Sequence, residues 1–339
     1  MLSRREFGRL ALASVPAATV LGGSDFFTAF APSPVEASTG FGGAGAQSKP
    51  NSKIEGVQIG TITYSYRSMP DQSAAAILRY VLDSGISRIE FMGGPVEAFA
   101  GAPPAGGFRG GGRGGPPPTP EQQAAQREAA ERLRAWRTSV SMDRFKTLRK
   151  MFNDAGVTIY AWKQLSPNMS DAEMEYVFNV AEALGCTHTT LELLDESEPL
   201  RRIGQFAEKK RIYAAYHTHL QGSMTAFDQA FAVSKANMAN VDLGHFVAAG
   251  GDPVAFIKKF NGRISSVHLK DRTTPAKGQG NVPWGTGDTP FKEILLTMKR
   301  DRHVYPAAIE LEYDVPSGSD AVKETAKCLD FCKVVLAKG

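Results

Sequence analysis

From Ile54 onward, short runs of β-branched and other apolar residues alternate with longer stretches in which apolar positions recur every three or four residues. The short runs predict strands and the longer ones amphipathic helices. The predicted strands are 57–64 (VQIGTITY), 87–92 (SRIEFM), 157–162 (VTIYAW), 188–193 (HTTLEL), 211–217 (RIYAAYH), 240–245 (NVDLGH), 264–269 (ISSVHL) and 307–312 (AAIELE). Between them, AAAILRYVLDSG, DRFKTLRKMFNDAG and DAEMEYVFNVAEALG carry helical spacing and end on glycine, a helix stop signal. Eight strands with intervening helices predict an α/β fold, a (β/α)8 TIM barrel. A doubly wound sheet is the competing architecture, but no Gly-x-Gly-x-x-Gly follows a strand and the chain has no P-loop.

One segment breaks the alternation. GAPPAGGFRGGGRGGPPP (101–118) is nearly all Gly and Pro and cannot pack a core. After it, Thr119 as N-cap, Pro120 at the first helical position and Gln122 three residues past the cap predict a helix opened by a capping box. Residues 94–140 therefore read as a Gly/Pro/Arg-rich insertion after strand 2, at the C-terminal face of the barrel. It is either a lid or a passive loop.

At the start of the chain, Arg4-Arg5 and Phe7 precede ALASVPAATVLGG, a run too short and interrupted for a stable membrane span. The segment resembles a twin-arginine export signal, with small residues around Val35-Glu36-Ala37 for cleavage. The expected organisation is a signal peptide at 1–37, a flexible leader at 38–53 and the barrel domain at 54–339. The resemblance implies a periplasmic or otherwise exported protein that crosses the membrane folded, with any cofactor already loaded.

Composition narrows the classes. With 339 residues, 42% hydrophobic and 22% charged, the chain can bury a large core, which excludes wholesale disorder. The net charge of +4 comes from scattered Lys and Arg rather than one basic face, so no nucleic-acid partner is implied. Cys186, Cys328 and Cys332 form no Cys-x-x-Cys pair, and neither a disulfide framework nor a zinc ribbon can be read from them.

In such a barrel the C-terminal strand ends converge on one site. The polar residues there are Glu192 on the fourth predicted strand, His217 and His219 on the fifth, Asp242 and His245 on the sixth, His268 and Lys270 on the seventh, and Glu310 and Glu312 on the eighth. Only His188 and His303 of the six histidines fall elsewhere. A carboxylate or imidazole inside an apolar strand is costly unless paired or bound to a cation. A divalent metal resolves the conflict, and a set of oxygen and nitrogen donors without sulfur suits Mn, Mg, Co or Zn.

The stretch NVDLGHFVAAGGDPVAFIKKFNGRISSVHLKDR, followed by WGTGDTPFKEIL and PAAIELEYD, resembles the xylose-isomerase-like barrel family of sugar phosphate isomerases and epimerases, over about residues 54–335. The resemblance implies metal ligation by Asp242, His268 and Glu310. The family's fourth ligand is usually a Glu in a Glu-x-His setting on strand five, where this chain has His217-Thr218-His219. Either His217 takes that place or Glu192 reaches across from the neighbouring strand. Glu192 is the preferred reading, because losing a carboxylate would weaken a hard-cation site.

The resemblance further implies proton abstraction beside a carbonyl. Glu310, Glu192, His217 and His219 are the catalytic candidates, since imidazoles suit proton transfer near neutral pH. His245, Lys270, Asp271, Arg272 and Trp162 are the substrate-binding candidates; Trp162 and Trp284 either stack on a sugar face or simply pack. Export, and the want of any phosphate cradle stronger than GTGD (285–288), which reads equally as a turn, point to an unphosphorylated sugar or keto-sugar. The alternatives are a 3-keto-glycoside lyase or hydratase and a sugar-binding barrel without catalysis.

Overall fold

Ile59, Gly60 and Thr61 pair in parallel with Ala307, Ala308 and Ile309, joining the first long strand to the last and closing the sheet. The computed structural model describes residues 49–104 and 119–338. The export-like segment, most of the leader and most of the Gly/Pro/Arg-rich run lie outside the described residues. The barrel strands are β1 (Val57–Ile62), β2 (Arg88–Met92), β3 (Thr158–Lys163), β4 (His188–Glu192), β5 (Tyr213–His217), β6 (Asn237–Asp242), β7 (Ile264–Leu269) and β8 (Ala307–Ile309). All eight run parallel in sequence order, with helices covering the outside, so the chain is a TIM barrel. A two-residue strand, Lys53–Ile54, adds antiparallel to β1.

The helices start and stop where local chemistry dictates. Ser170 accepts from the Glu173 N–H while Glu173 reaches back to the Ser170 N–H, a capping box that opens the helix Asp171–Leu184. Gly185 ends that helix in the left-handed region, at φ 76°. The capping box at Thr119 and Gln122 opens a 20-residue helix, Pro120–Ser139. This insertion helix is tied down near its end: Arg137 donates to both Glu97 carboxylate oxygens, at 2.8 and 3.1 Å, and also approaches Glu173. Among the described residues no helix is long and apolar enough to cross a membrane.

Two strand boundaries differ from the sequence pattern in ways that bear on the site. The sixth strand occupies 237–242 rather than 240–245, because Asp242 is a helix N-cap, its side chain accepting from the His245 N–H at 2.7 Å. The short helix Leu243–Ala248 that follows lies close over the end of β7: a Cβ at Gly244 would come within 2.5 Å of the Lys270 carbonyl oxygen. On β3, Ile159 pairs with Ile89 and Ala161 with Glu90, so Tyr160 is passed over in a bulge-like irregularity. Beyond it the in-out alternation is reset. Ala161 and Lys163 take the inward register opposite His188 and Thr190, and Trp162 takes the outward one opposite Thr189.

Candidate functional site

Inward-facing positions two apart build a polar column in the barrel: His188 and Thr190 on β4, Asn240 and Asp242 on β6, Ser266 and His268 on β7 with Lys270 just beyond. Register then sets neighbours, with Glu192 opposite His217 and Asp242 opposite His268. His268 is fully buried between two carboxylates, its Nε2 2.8 Å from Glu90 Oε2 and its Nδ1 3.0 Å from Glu310 Oε2. Burial opposes charge on this ring, but Glu90 and Glu310 outweigh it and hold the imidazolium up to about 10. Glu90 also accepts from Thr190 Oγ1 at 2.6 Å and from Asn240 Nδ2. The network continues from Asn240 through Ser266 Oγ to His188.

Lys270 is the second buried cation. Its Nζ lies 2.6 Å from Glu312, 2.9 Å from Glu310 and 3.0 Å from Asp242. Burial works against Glu310 ionising, yet Lys270 and His268 keep its carboxyl well below the usual carboxylate range. Asp242 goes the other way, raised to about 6, because burial outweighs the attraction of Lys270. Burial, reinforced by the positive charge of His268, keeps His217 neutral, far below the ordinary imidazole value.

A ligand atom from each of His217, Asp242, His268 and Glu310 lies within 4.8 Å of one from every other, all four residues being buried. Two observations test whether this set fits a cation. His217 Nδ1 and Asp242 Oδ2 are both buried with no hydrogen-bond partner among the described residues, Asp242 Oδ2 lying 3.0 Å from Lys270 Nζ in an ion pair. An unpartnered ring nitrogen beside an under-satisfied carboxylate oxygen is what a bound cation would complete. The donors are two imidazoles and two carboxylates, a set that fits Zn, Mn or Co.

Glu192 stands outside this set. Its carboxylate is half exposed, 2.7 Å from Lys163 Nζ and 3.0 Å from His219 Nδ1. Burial opposes ionisation there, but His219 and Lys163 hold the group down to about 2. Of the two alternatives the sequence left open, preferring Glu192, the structure brings His217 and not Glu192 beside Asp242, His268 and Glu310, while Lys163, inward after the reset of β3, pairs with Glu192.

The other expected residues divide. His245 is buried with Nδ1 against the Arg272 guanidinium, and its ring centroid is 4.7 Å from that of His219. Burial, with Lys270 and Arg272 nearby, pushes it down to about 2. Asp271 is taken up internally, accepting from the N–H groups of Gly285, Gly287 and Thr289 at 2.8, 2.9 and 3.2 Å, so it holds the 285–289 loop rather than a ligand. Trp162 faces the helix layer, donating to Val177 O and meeting Tyr176 edge-on, and does not reach the barrel mouth. Trp284 stacks on Phe291 at 4.2 Å. Sequence reasoning missed Glu90 and Lys163. The signal for Glu90 was present, a lone carboxylate inside the apolar SRIEFM strand.

A family profile described as the xylose isomerase-like TIM barrel matches residues 131–332. Inosose dehydratase of Clostridium tetani is 28% identical over 37% of this chain and 49% of its own length, so the match spans about half of that relative. Among solved structures, a sugar phosphate isomerase/epimerase from Parabacteroides distasonis has a TM-score of 0.56 at 16% identity, covering 86% of this chain and 97% of the other. D-psicose 3-epimerase from Clostridium cellulolyticum has a TM-score of 0.56 at 11% identity, covering 83% and 99%. At such identities the structural matches establish the fold alone.

Proposed function

Because the chain belongs to the xylose isomerase-like TIM-barrel family, we propose that it is a divalent-metal-dependent isomerase or epimerase that removes a proton beside the carbonyl of an unphosphorylated sugar or keto-sugar. The observation that carries the reading is the convergence of His217, Asp242, His268 and Glu310, with His217 Nδ1 unpartnered. A divalent cation held there would polarise a carbonyl oxygen and offset the negative charge that builds up when the neighbouring proton leaves.

The chain's own residues supply the rest. Glu90 holds His268 by Nε2, which leaves the Nδ1 side, shared with Glu310, directed to the centre. Such outer partners fix ring orientation at metal sites. Glu310 is a weak proton acceptor because Lys270 and His268 already engage it. His219 is placed to move a proton: it is half exposed at the mouth, and Glu192 takes its Nδ1. The export-like N-terminus supports a substrate met outside the cytoplasm, where sugar phosphates are scarce.

The test is exchange of substrate C–H for deuterium in heavy water, with Mn²⁺ and with EDTA, across a panel of sugars and keto-sugars. Metal-dependent exchange supports the proposal, and its absence across the panel overturns it. A second reading, a lyase or dehydratase, draws on the inosose dehydratases among the sequence relatives. Loss of a β-leaving group would give an unsaturated product absorbing in the ultraviolet, which exchange alone would not.

A further inference from the structure

The insertion helix Pro120–Ser139 buries only Ala129 of its 20 residues. A helix with so little apolar burial adds little to a core. It is anchored near its end, where Arg137 pairs with Glu97 and Glu173 and Trp136 meets Tyr176 edge-on. Ala130, Leu133 and Arg134, with Arg137 seven residues after the first, share one helix face. That face forms one side of a cleft of about 320 Å³. The opposite wall is the segment leaving β3, with Gln164, Ser166 and Asn168. The cleft lies next to the barrel mouth: Lys163, the residue before Gln164, reaches Glu192, and Glu192 reaches His219.

The lining chooses among ligands. Among the described residues the side chains of Gln164, Ser166 and Asn168 have no hydrogen-bond partner, although Gln164 and Ser166 are partly buried. Amides and a hydroxyl both donate and accept, as the hydroxyls of a sugar do. An anion fits less well, because Arg134 and Arg137 already face Glu173, at 3.8 and 3.4 Å. Leu133 and Met169 add apolar surface for the carbon skeleton of a ring. Ligand sites run upward from about 300 Å³, so the cleft has room for one ring and not for a longer chain. We propose that it is a second sugar subsite, which takes the neighbouring ring of a glycoside while the reacting ring lies at the metal position. The place of the reacting ring rests on the sugar-enzyme reading above, whereas the subsite needs no metal.

The test compares affinities by titration calorimetry on the full-length chain, in Mn²⁺ and in EDTA. Maltose, cellobiose, lactose, trehalose and sucrose, with their keto-sugar forms, are each set against their monosaccharides. At least one disaccharide should bind about tenfold or more tighter than either of its rings, the return of a few added hydrogen bonds. Leu133→Trp, which fills the cleft, should bring that ratio to about one, and Asn168→Ala, which removes an uncommitted amide, should lower it. Leu133 is only partly buried and Asn168 is exposed, so both variants should fold. A general loss of fold lowers both affinities and leaves their ratio. No disaccharide advantage across the panel, or one that survives Leu133→Trp, overturns the proposal. The two readings fail separately. Metal-dependent deuterium exchange on monosaccharides without a disaccharide advantage removes the subsite and keeps the enzyme. An advantage that Leu133→Trp cancels, equal in Mn²⁺ and EDTA and without any exchange, keeps the subsite and removes the metal-dependent reading.

Discussion

Lys270 Nζ lies 2.9 Å from Glu310 Oε2, the same oxygen that His268 Nδ1 reaches at 3.0 Å. Two buried cations thus converge on one carboxylate oxygen of the candidate metal centre. They supply the positive charge that the carboxylates require when no metal is bound.

Lys270→Met should destabilise the metal-free chain by about 3–5 kcal/mol, the usual cost of leaving buried charges without their partner. A bound divalent cation restores positive charge beside Asp242 and Glu310, so the loss should shrink by half or more in excess Mn²⁺. Urea unfolding of both proteins, in EDTA and in Mn²⁺, measures this. An equal loss in the two conditions would show that Lys270 and the metal do not serve the same carboxylates.

His268 gives the metal-free protein a pH signature. Its imidazolium is held to about 10 in the fold against an ordinary value of 6.5, so between those limits the folded state keeps a proton that the unfolded state has lost. The stability that His268 contributes is then full below about pH 6.5 and is lost as pH rises towards 10. Asp242, raised from 3.8 to about 6, contributes a loss of the same sign in that lower window. Glu90→Gln removes one of the carboxylates holding His268 and should flatten the alkaline slope. Denaturant unfolding in EDTA across the range follows it.

Much of this arrangement was legible in the sequence. Polar residues at the ends of apolar strands included Asp242, His268 and Glu310, which the family resemblance then implied as a set, and apolar runs alternating with helical spacing marked the barrel. What escaped depended on register. Whether Glu192 or His217 joins the centre turns on the passed-over Tyr160, which brings Lys163 inward to pair with Glu192 and sends Trp162 out to the helices. The asparagines of ANMANVD hid the true start of the sixth strand, since Asn237 and Asn240 are satisfied only by distant partners such as Leu200 O and Glu90.

Asp271 illustrates how a residue beside a site can serve the scaffold. Asp271→Ala leaves three N–H groups of the 285–289 loop without their acceptor, and should cost about 1–3 kcal/mol. Limited proteolysis should cut faster within that loop, while Co²⁺ affinity stays within a few fold of the parent. A collapse of metal affinity at unchanged stability would place Asp271 in the ligand site instead.

Arg137 joins the insertion helix to the barrel through Glu97 and Glu173. In Arg137→Ala those buried carboxylates lose a cation, and residues 120–139 should lose hydrogen-exchange protection ahead of the strands. Uniform loss of protection across barrel and insertion would mean that the helix is integral to the barrel's cooperative unit.

The central claim is that His217, Asp242, His268 and Glu310 together bind one divalent cation. Anomalous diffraction from crystals of the protein grown with Zn²⁺ or Co²⁺ tests it most directly. The account predicts a peak about 2.0–2.2 Å from a donor atom of each of those four residues, with Glu192 still on His219 and Lys163. A peak ligated by Glu192 in place of His217, or none among the four residues, would contradict it.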